Sequence, residues 1–131
     1  MKYFLIFIAV TFFNLHASCQ IKNKTVTENI KTFFVKNSPW DDKLYINKAS
    51  KIIQFSNYQI PLDEVTLSYT FNSDIIPSQK HYVKFTCSNN NSCILNEEGL
   101  PSHTSTGTPF KTKDICYEFM DLIKELKDSL K

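Results

Sequence analysis

The chain contains no arginine; all fifteen of its basic side chains are lysine. That removes the commonest bidentate reader of guanine and phosphate. Glycine is almost absent, with only Gly99 and Gly107 in 131 residues. No glycine-rich phosphate cradle can therefore be written, and no Walker, Gly-x-Ser-x-Gly or His-Glu-x-x-His pattern occurs. No apolar run reaches the roughly 20 residues that a membrane-spanning helix needs. Net charge is low, at +2. The composition is 42% apolar and 14% aromatic, too rich in core-forming side chains for a disordered tail.

What is present begins at the N-terminus. Lys2 is followed by an uncharged apolar stretch from Tyr3 to Phe13, and then by Asn14-Leu15-His16-Ala17-Ser18-Cys19. A positive start, an apolar core of about 7–15 residues and a small-residue segment are the parts of a secretory signal peptide. Residues 1–19 are expected to be that leader, and residues 20–131 a single domain. The expected location is outside the cytoplasm: periplasmic, outer-membrane-anchored or extracellular. The segment beyond residue 19 carries fourteen lysines against thirteen acids, a balance of +1. So even a charge balance gives no basic footprint, and nucleic acid is not an expected partner.

Residues 25–36 carry a helical pattern, with Val26, Ile30, Phe33 and Phe34 on one face and Thr25 and Glu28 in capping-box spacing. Pro39 ends it. From Lys43 to Cys87 the signal is β. Candidate strands are 43–46, 51–55, 58–60, 65–71 and 82–87, followed by 93–95 and a last one near 108–111. The longest, Val65 to Phe71, alternates so that Val65, Leu67, Tyr69 and Phe71 share a face. Ser56-Asn57 and Pro61-Leu62-Asp63-Glu64 read as turns. Asn96 to Gly107 reads as a polar loop. Residues 113–130 form the clearest helix, with Ile115, Phe119, Leu122, Ile123, Leu126 and Leu130 on one stripe and Thr112 as its cap. The fold class is therefore α+β: about seven short antiparallel strands in a small barrel or roll, a C-terminal amphipathic helix as its cap, and an extra N-terminal helix.

The cysteines carry the firmest chemistry. Cys87 ends one strand and Cys93 starts the next, with Ser88-Asn89-Asn90-Asn91-Ser92 between them. Three consecutive asparagines tolerate turn conformations. A disulfide across that hairpin fits an oxidising compartment. Cys116, beside Ile115 and Phe119, reads as a small buried apolar residue. Its alternative is a nucleophile served by His81 or His103. His81, Cys87, Cys93 and His103 have no zinc-like spacing, and the histidines are expected on the solvent side. The acid pairs Asp41-Asp42, Asp63-Glu64 and Glu97-Glu98 sit on turns, where neighbours point different ways. No cofactor, metal or catalytic residue is expected. The many aromatics fill a core or line a groove for peptide or lipid. Trp40, Tyr45 and Tyr69 are the groove candidates.

Two resemblances follow from these residues. Ala17-Ser18-Cys19 resembles a bacterial lipobox, although His16 stands where that pattern has leucine and Leu15 is one place off. It implies lipidation of Cys19 and a membrane anchor; ordinary cleavage with no lipid is the open alternative. The strand order with a terminal helix over residues 43–130 resembles a pleckstrin-homology-like barrel. The run Tyr82-Val83-Lys84-Phe85-Thr86-Cys87, then Cys93-Ile94 and the terminal helix, is similar to small uncharacterised bacterial exported proteins. That resemblance implies a scaffold for an envelope protein, a peptide or a lipid. The expected function is thus a non-enzymatic cell-envelope binding module, soluble or lipid-anchored. The alternatives are a thiol- or histidine-dependent enzyme, or a small lipid or ligand carrier.

Intact mass of the protein recovered from its producing cells tests the leader. The expected mass is that of the chain shortened by its first segment, with or without acyl chains, and reduction adds two hydrogens. Full-length, fully reduced protein in the cytosol would overturn the reading.

Overall fold

The computed structural model describes residues 25–39, 43–74 and 79–131. Residues 1–19, expected to be a leader, with Cys19, and also Trp40, lie outside the described residues.

Helix α1 covers residues 25–37. Val26, Ile30 and Phe34 are buried and Phe33 is half-buried, as the periodicity requires. Thr25, expected as the cap, is already helical. At the other end the Asn37 side-chain amide donates to Phe33 O at 2.9 Å and Ser38 N donates to Phe34 O at 2.8 Å. These bonds satisfy carbonyls that the ending helix leaves open, and Pro39 follows.

Eight strands come next: β1 (Tyr45–Asn47), β2 (Ile52–Phe55), β3 (Tyr58–Pro61), β4 (Val65–Phe71), β5 (His81–Cys87), β6 (Ile94–Leu95), β7 (Pro101–His103) and β8 (Ser105–Phe110). They form two antiparallel sheets rather than one. The larger has the order β1-β2-β3-β6-β7 and the smaller β4-β5-β8. The sheets do not close into a barrel. The segment expected as a loop, Asn96–Gly107, holds β7 and the start of β8. Its only true loop is a tight turn at Asn96, whose Oδ1 accepts from Glu98 N at 3.0 Å and Leu100 N at 2.9 Å. Gly99 sits there at φ +78°, where a side chain would be strained.

Besides the short turn from β3 into β4, two features join the sheets. One is a bend: β7 and β8 are separated by Thr104 alone, so the chain leaves the large sheet and enters the small one within a residue. Thr104 O accepts from Cys87 N at 2.8 Å, which fixes the bend to the end of β5. Strands that switch sheets at a bend make the corners of orthogonal β-packings. The other is the disulfide. Cys87 and Cys93 are bonded, with Cα atoms 5.8 Å apart, inside the range a disulfide accepts. The bond does not cross a hairpin, as the sequence suggested. β5 belongs to the small sheet and β6 pairs with β3 and β7 in the large one, so the disulfide ties sheet to sheet. Asn90, in the connecting turn, takes φ +57°, a conformation asparagine tolerates.

Helix α2 (Lys113–Ser129) starts at Thr112, whose hydroxyl accepts from Ile115 N at 3.3 Å, with Asp114 in the first turn. It packs on β4, β5 and β8. Its fully buried residues are Cys116, Phe119, Ile123 and Leu126; Ile115, Leu122 and Leu130 of the expected stripe are only half-buried. The true stripe is thus centred about one position towards Cys116.

All layers meet at Phe34. Its ring lies 5.6 Å from Phe55 of β2, 6.2 Å from Phe110 of β8 and 5.7 Å from Phe119 of α2. Phe110 and Phe119 lie 5.0 Å apart, and Phe55 reaches Phe85 at 5.8 Å. One side chain of α1 therefore touches both sheets and the other helix. Such aromatic pairs add about 0.5–1.5 kcal/mol beyond the area they bury.

Phe34→Ala should lower unfolding free energy by about 3–5 kcal/mol. Replacing Cys87 and Cys93 together by alanine should cost about 2 kcal/mol, since the closed loop is short. Denaturant titration of both variants, followed by near-UV circular dichroism, measures these losses.

Candidate functional site

Among the described residues β4 pairs with β5 alone and leaves its other edge open. Hydrogen bonds flanking the strand show which backbone groups face that edge. Ser88 N donates to Glu64 O at 2.9 Å and Asn72 N donates to Lys80 O at 2.9 Å. Positions 64 and 72 therefore turn towards β5. Antiparallel ladders alternate, so Thr66, Ser68 and Thr70 do the same, while Val65, Leu67, Tyr69 and Phe71 present backbone N–H and C=O to the open edge. Val65 O is taken by the Lys127 ammonium at 3.3 Å. The edge is otherwise a row of backbone donors and acceptors.

A groove runs beside it. The flank of α2 and β4 enclose about 280 Å³, with Leu67 and Met120 as apolar lining and Asp121, Lys124, Lys127 and Asp128 at the rim. Farther along, α2 begins and an aromatic cluster takes over. The Tyr69 ring stacks on Tyr117 at 5.7 Å and on His81 at 6.0 Å. The Tyr69 hydroxyl and His81 Nδ1 are hydrogen-bonded at 2.8 Å. The Lys113 ammonium lies 5.5 Å from the Tyr69 ring centre and 5.7 Å from that of Tyr117, within cation–π range. Phe71 packs on His81 at 5.2 Å yet is 53% exposed, and Tyr117 is 47% exposed.

The alternation of β4 explains the cluster. Val65 is buried and Leu67 and Tyr69 are half-buried under α2, whereas Phe71 lies beyond its first turn and stays in water. His81 pairs in register with Phe71, so it points to the helix side, not to open solvent. Tyr69 is thus a member of a surface cluster, but its partners are His81, Tyr117 and Lys113. Tyr45 lies in β1, at the edge of the other sheet, and is 58% exposed. Trp40 falls outside the described residues. Sequence reading missed Tyr117 and Lys113; an aromatic off the apolar stripe of α2 was the signal available.

The remaining candidates are dispersed. His103 is in β7, its Nδ1 2.7 Å from the Ser102 hydroxyl and its ring 5.2 Å from Tyr58. It lies in the other sheet from His81. Asp63 pairs with Lys51 at 2.9 Å at the β3–β4 corner. Cys116 is a free, fully buried thiol whose pKa burial pushes up to about 11. Such a thiol is protonated at neutral pH and is a poor nucleophile. Among the described residues no three His, Cys, Asp or Glu side chains converge on a point that could hold a metal. No helix among them is long and apolar enough to cross a membrane.

No protein-family model, curated protein or solved structure matches this chain.

Two measurements follow from Cys116. It should resist a thiol reagent in the native protein at neutral pH and react fully in denaturant. Because the folded thiol ionises at higher pH than the unfolded one, the unfolded chain binds fewer protons between about pH 9 and pH 11. Stability is therefore unaffected below that window and falls through it, by roughly 2 to 3 kcal/mol. Cys116→Ala, titrated alongside, should lack that component.

Proposed function

We propose that the protein is an exported, non-enzymatic binding module of the cell envelope that captures an extended peptide segment along β4. The carrying observation is the unpaired edge of that seven-residue strand, lying beside a groove and ending at an exposed aromatic cluster. Adding a strand to a sheet edge supplies main-chain hydrogen bonds, while alternate side chains of the guest enter pockets beside the sheet. Here the groove at Leu67 and Met120 takes one such side chain, and the Phe71–Tyr117 surface takes another. Lys124, Lys127 and Lys113 favour acidic positions in the guest.

The leader-like N-terminus supports export, and the oxidised Cys87–Cys93 pair suits an oxidising compartment. Lipidation of Cys19 would hold the module at a membrane; cleavage without lipid would release it. The bent β7–β8 strand and the helix on one sheet support reading the scaffold as an opened relative of a pleckstrin-homology-like barrel. The buried, protonated Cys116 and the separated histidines give the thiol-enzyme alternative no support.

The test separates backbone from side chain. Peptides are selected on the immobilised protein from a random library and their affinities measured for Phe71→Ala and Phe71→Pro. Proline removes an edge-facing N–H and is tolerated on an edge strand. The expected result is a modest loss for alanine and at least a tenfold loss for proline, with slowed hydrogen exchange at Leu67, Tyr69 and Phe71 in the wild-type complex. Equal binding by both variants, with no protection at those amides, would sink the proposal.

A further inference from the structure

We infer a second binding site, on the outer face of the three-stranded sheet, for an acidic oligosaccharide. The face is defined by register. Ser68 and Thr70 of β4 oppose Lys84 and Tyr82 of β5, and these oppose Gly107 and Pro109 of β8. The next row is Thr66, Thr86 and Ser105. Nine positions thus form a grid turned away from α2. It holds five small hydroxyl side chains, one tyrosine, one lysine and no acid. In a chain with thirteen acids, that absence leaves Lys84 uncompensated on the grid. Lys80 lies just before β5 and Lys111 just after β8, at the hairpin end of the sheet.

The grid is hollow. A depression of about 410 Å³ is lined by Thr70, Asn72, Tyr82, Lys84 and the Ser105–Gly107 stretch of β8, a size within the usual range for small-ligand sites. Threonines on a solvent face need no ligand to explain them, since they are good strand formers. Glycine in the middle of a strand does need a reason, because it weakens the strand and marks a close approach. A Cβ at Gly107 would stand 3.3 Å from Val83 O and 3.5 Å from Tyr82 Cδ1. The tight approach is to the Val83 carbonyl, and the Tyr82 ring stands at ordinary contact distance as one wall of the depression.

The lining decides the ligand class. The few polar groups match a sugar's hydroxyls, and the mostly apolar surface between them suits its C–H faces. A tyrosine ring offers an amphipathic surface for a sugar's C–H face. One ammonium with no acid on the nine grid positions favours a carboxylate on the ligand. Single-stranded nucleic acid fits less well, because its binders use several stacking rings and a broad basic groove. This site uses the face opposite α2, so it stands independently of peptide capture at β4.

Titration of the isotope-labelled protein with oligogalacturonate at low salt, read by amide chemical shifts, tests it. Saturable shifts are expected at Thr70, Tyr82, Lys84, Ser105 and Gly107. Lys84→Ala should weaken binding about tenfold and Lys84→Arg should retain most of it. Gly107→Ala should abolish binding by filling the floor; should that variant misfold, the Lys84 pair still decides. Absence of saturable shifts, equal binding of neutral maltohexaose, or tighter binding of an oligothymidylate at the same amides each overturns the inference.

Discussion

The corner where the two sheets meet holds this molecule together. A sheet of three strands with one helix on it is a small core, and the five-stranded sheet has no long helix of its own. Each needs the other to bury its apolar face. The connection is made in three ways at nearly one place: the Cys87–Cys93 bond, the Thr104 bend with its hydrogen bond to Cys87, and the Pro61–Glu64 turn. The turn carries Leu62, which is fully buried, and its Asp63 pairs with Lys51 before β2. The exposed ion pair adds little. The disulfide and the buried leucine carry more, because they constrain the unfolded chain and remove apolar area from water.

Phe34 turns that corner into a core. Its helix lies outside both sheets in sequence, yet its ring is the common neighbour of β2, β8 and α2. With the corner and Phe34 fixed, the geometry of β4 follows. Its inner face is covered by α2 for most of its length and bare at the end, while its edge stays open. The same rigidity holds the outer face and its depression in shape. The proposed binding surfaces lie on a strand held firmly, and a rigid surface needs little reorganisation to bind.

The elements themselves were readable from periodicity. Both helices appear within a residue or so of where their apolar stripes put them, and six of the eight strands match alternation or turn signals. The failures share a cause. β7, the sequence Pro101-Ser102-His103, has every residue exposed, and the first half of β8 is Ser105-Thr106-Gly107. Strands without apolar residues leave no hydrophobic pattern, so they read as loop. The two-sheet arrangement was also illegible, because a bend at one threonine carries no local signature. The disulfide partners were legible from spacing together with the expected oxidising compartment, whereas their placement between sheets depends on β6 pairing with β3, a long-range event. In the candidate site, Tyr69 was legible from β4 alternation. Its partners His81, Tyr117 and Lys113 come from a neighbouring strand and from the helix laid across it, which one-dimensional patterns do not bring together.

Burial of Cys116 bears on how the chain is oxidised. Three cysteines lie among the described residues, and three pairings are open to them before folding. Ring size favours Cys87 with Cys93 over Cys93 with Cys116 by roughly 1 kcal/mol, which is only a bias. Docking of α2 converts the bias into a commitment, since it places the odd sulfur among Phe119 and Ile123 on a fully covered face and keeps it from becoming a thiolate. Exchange proceeds by thiolate attack, so docking of α2 acts as the lock against scrambled isomers.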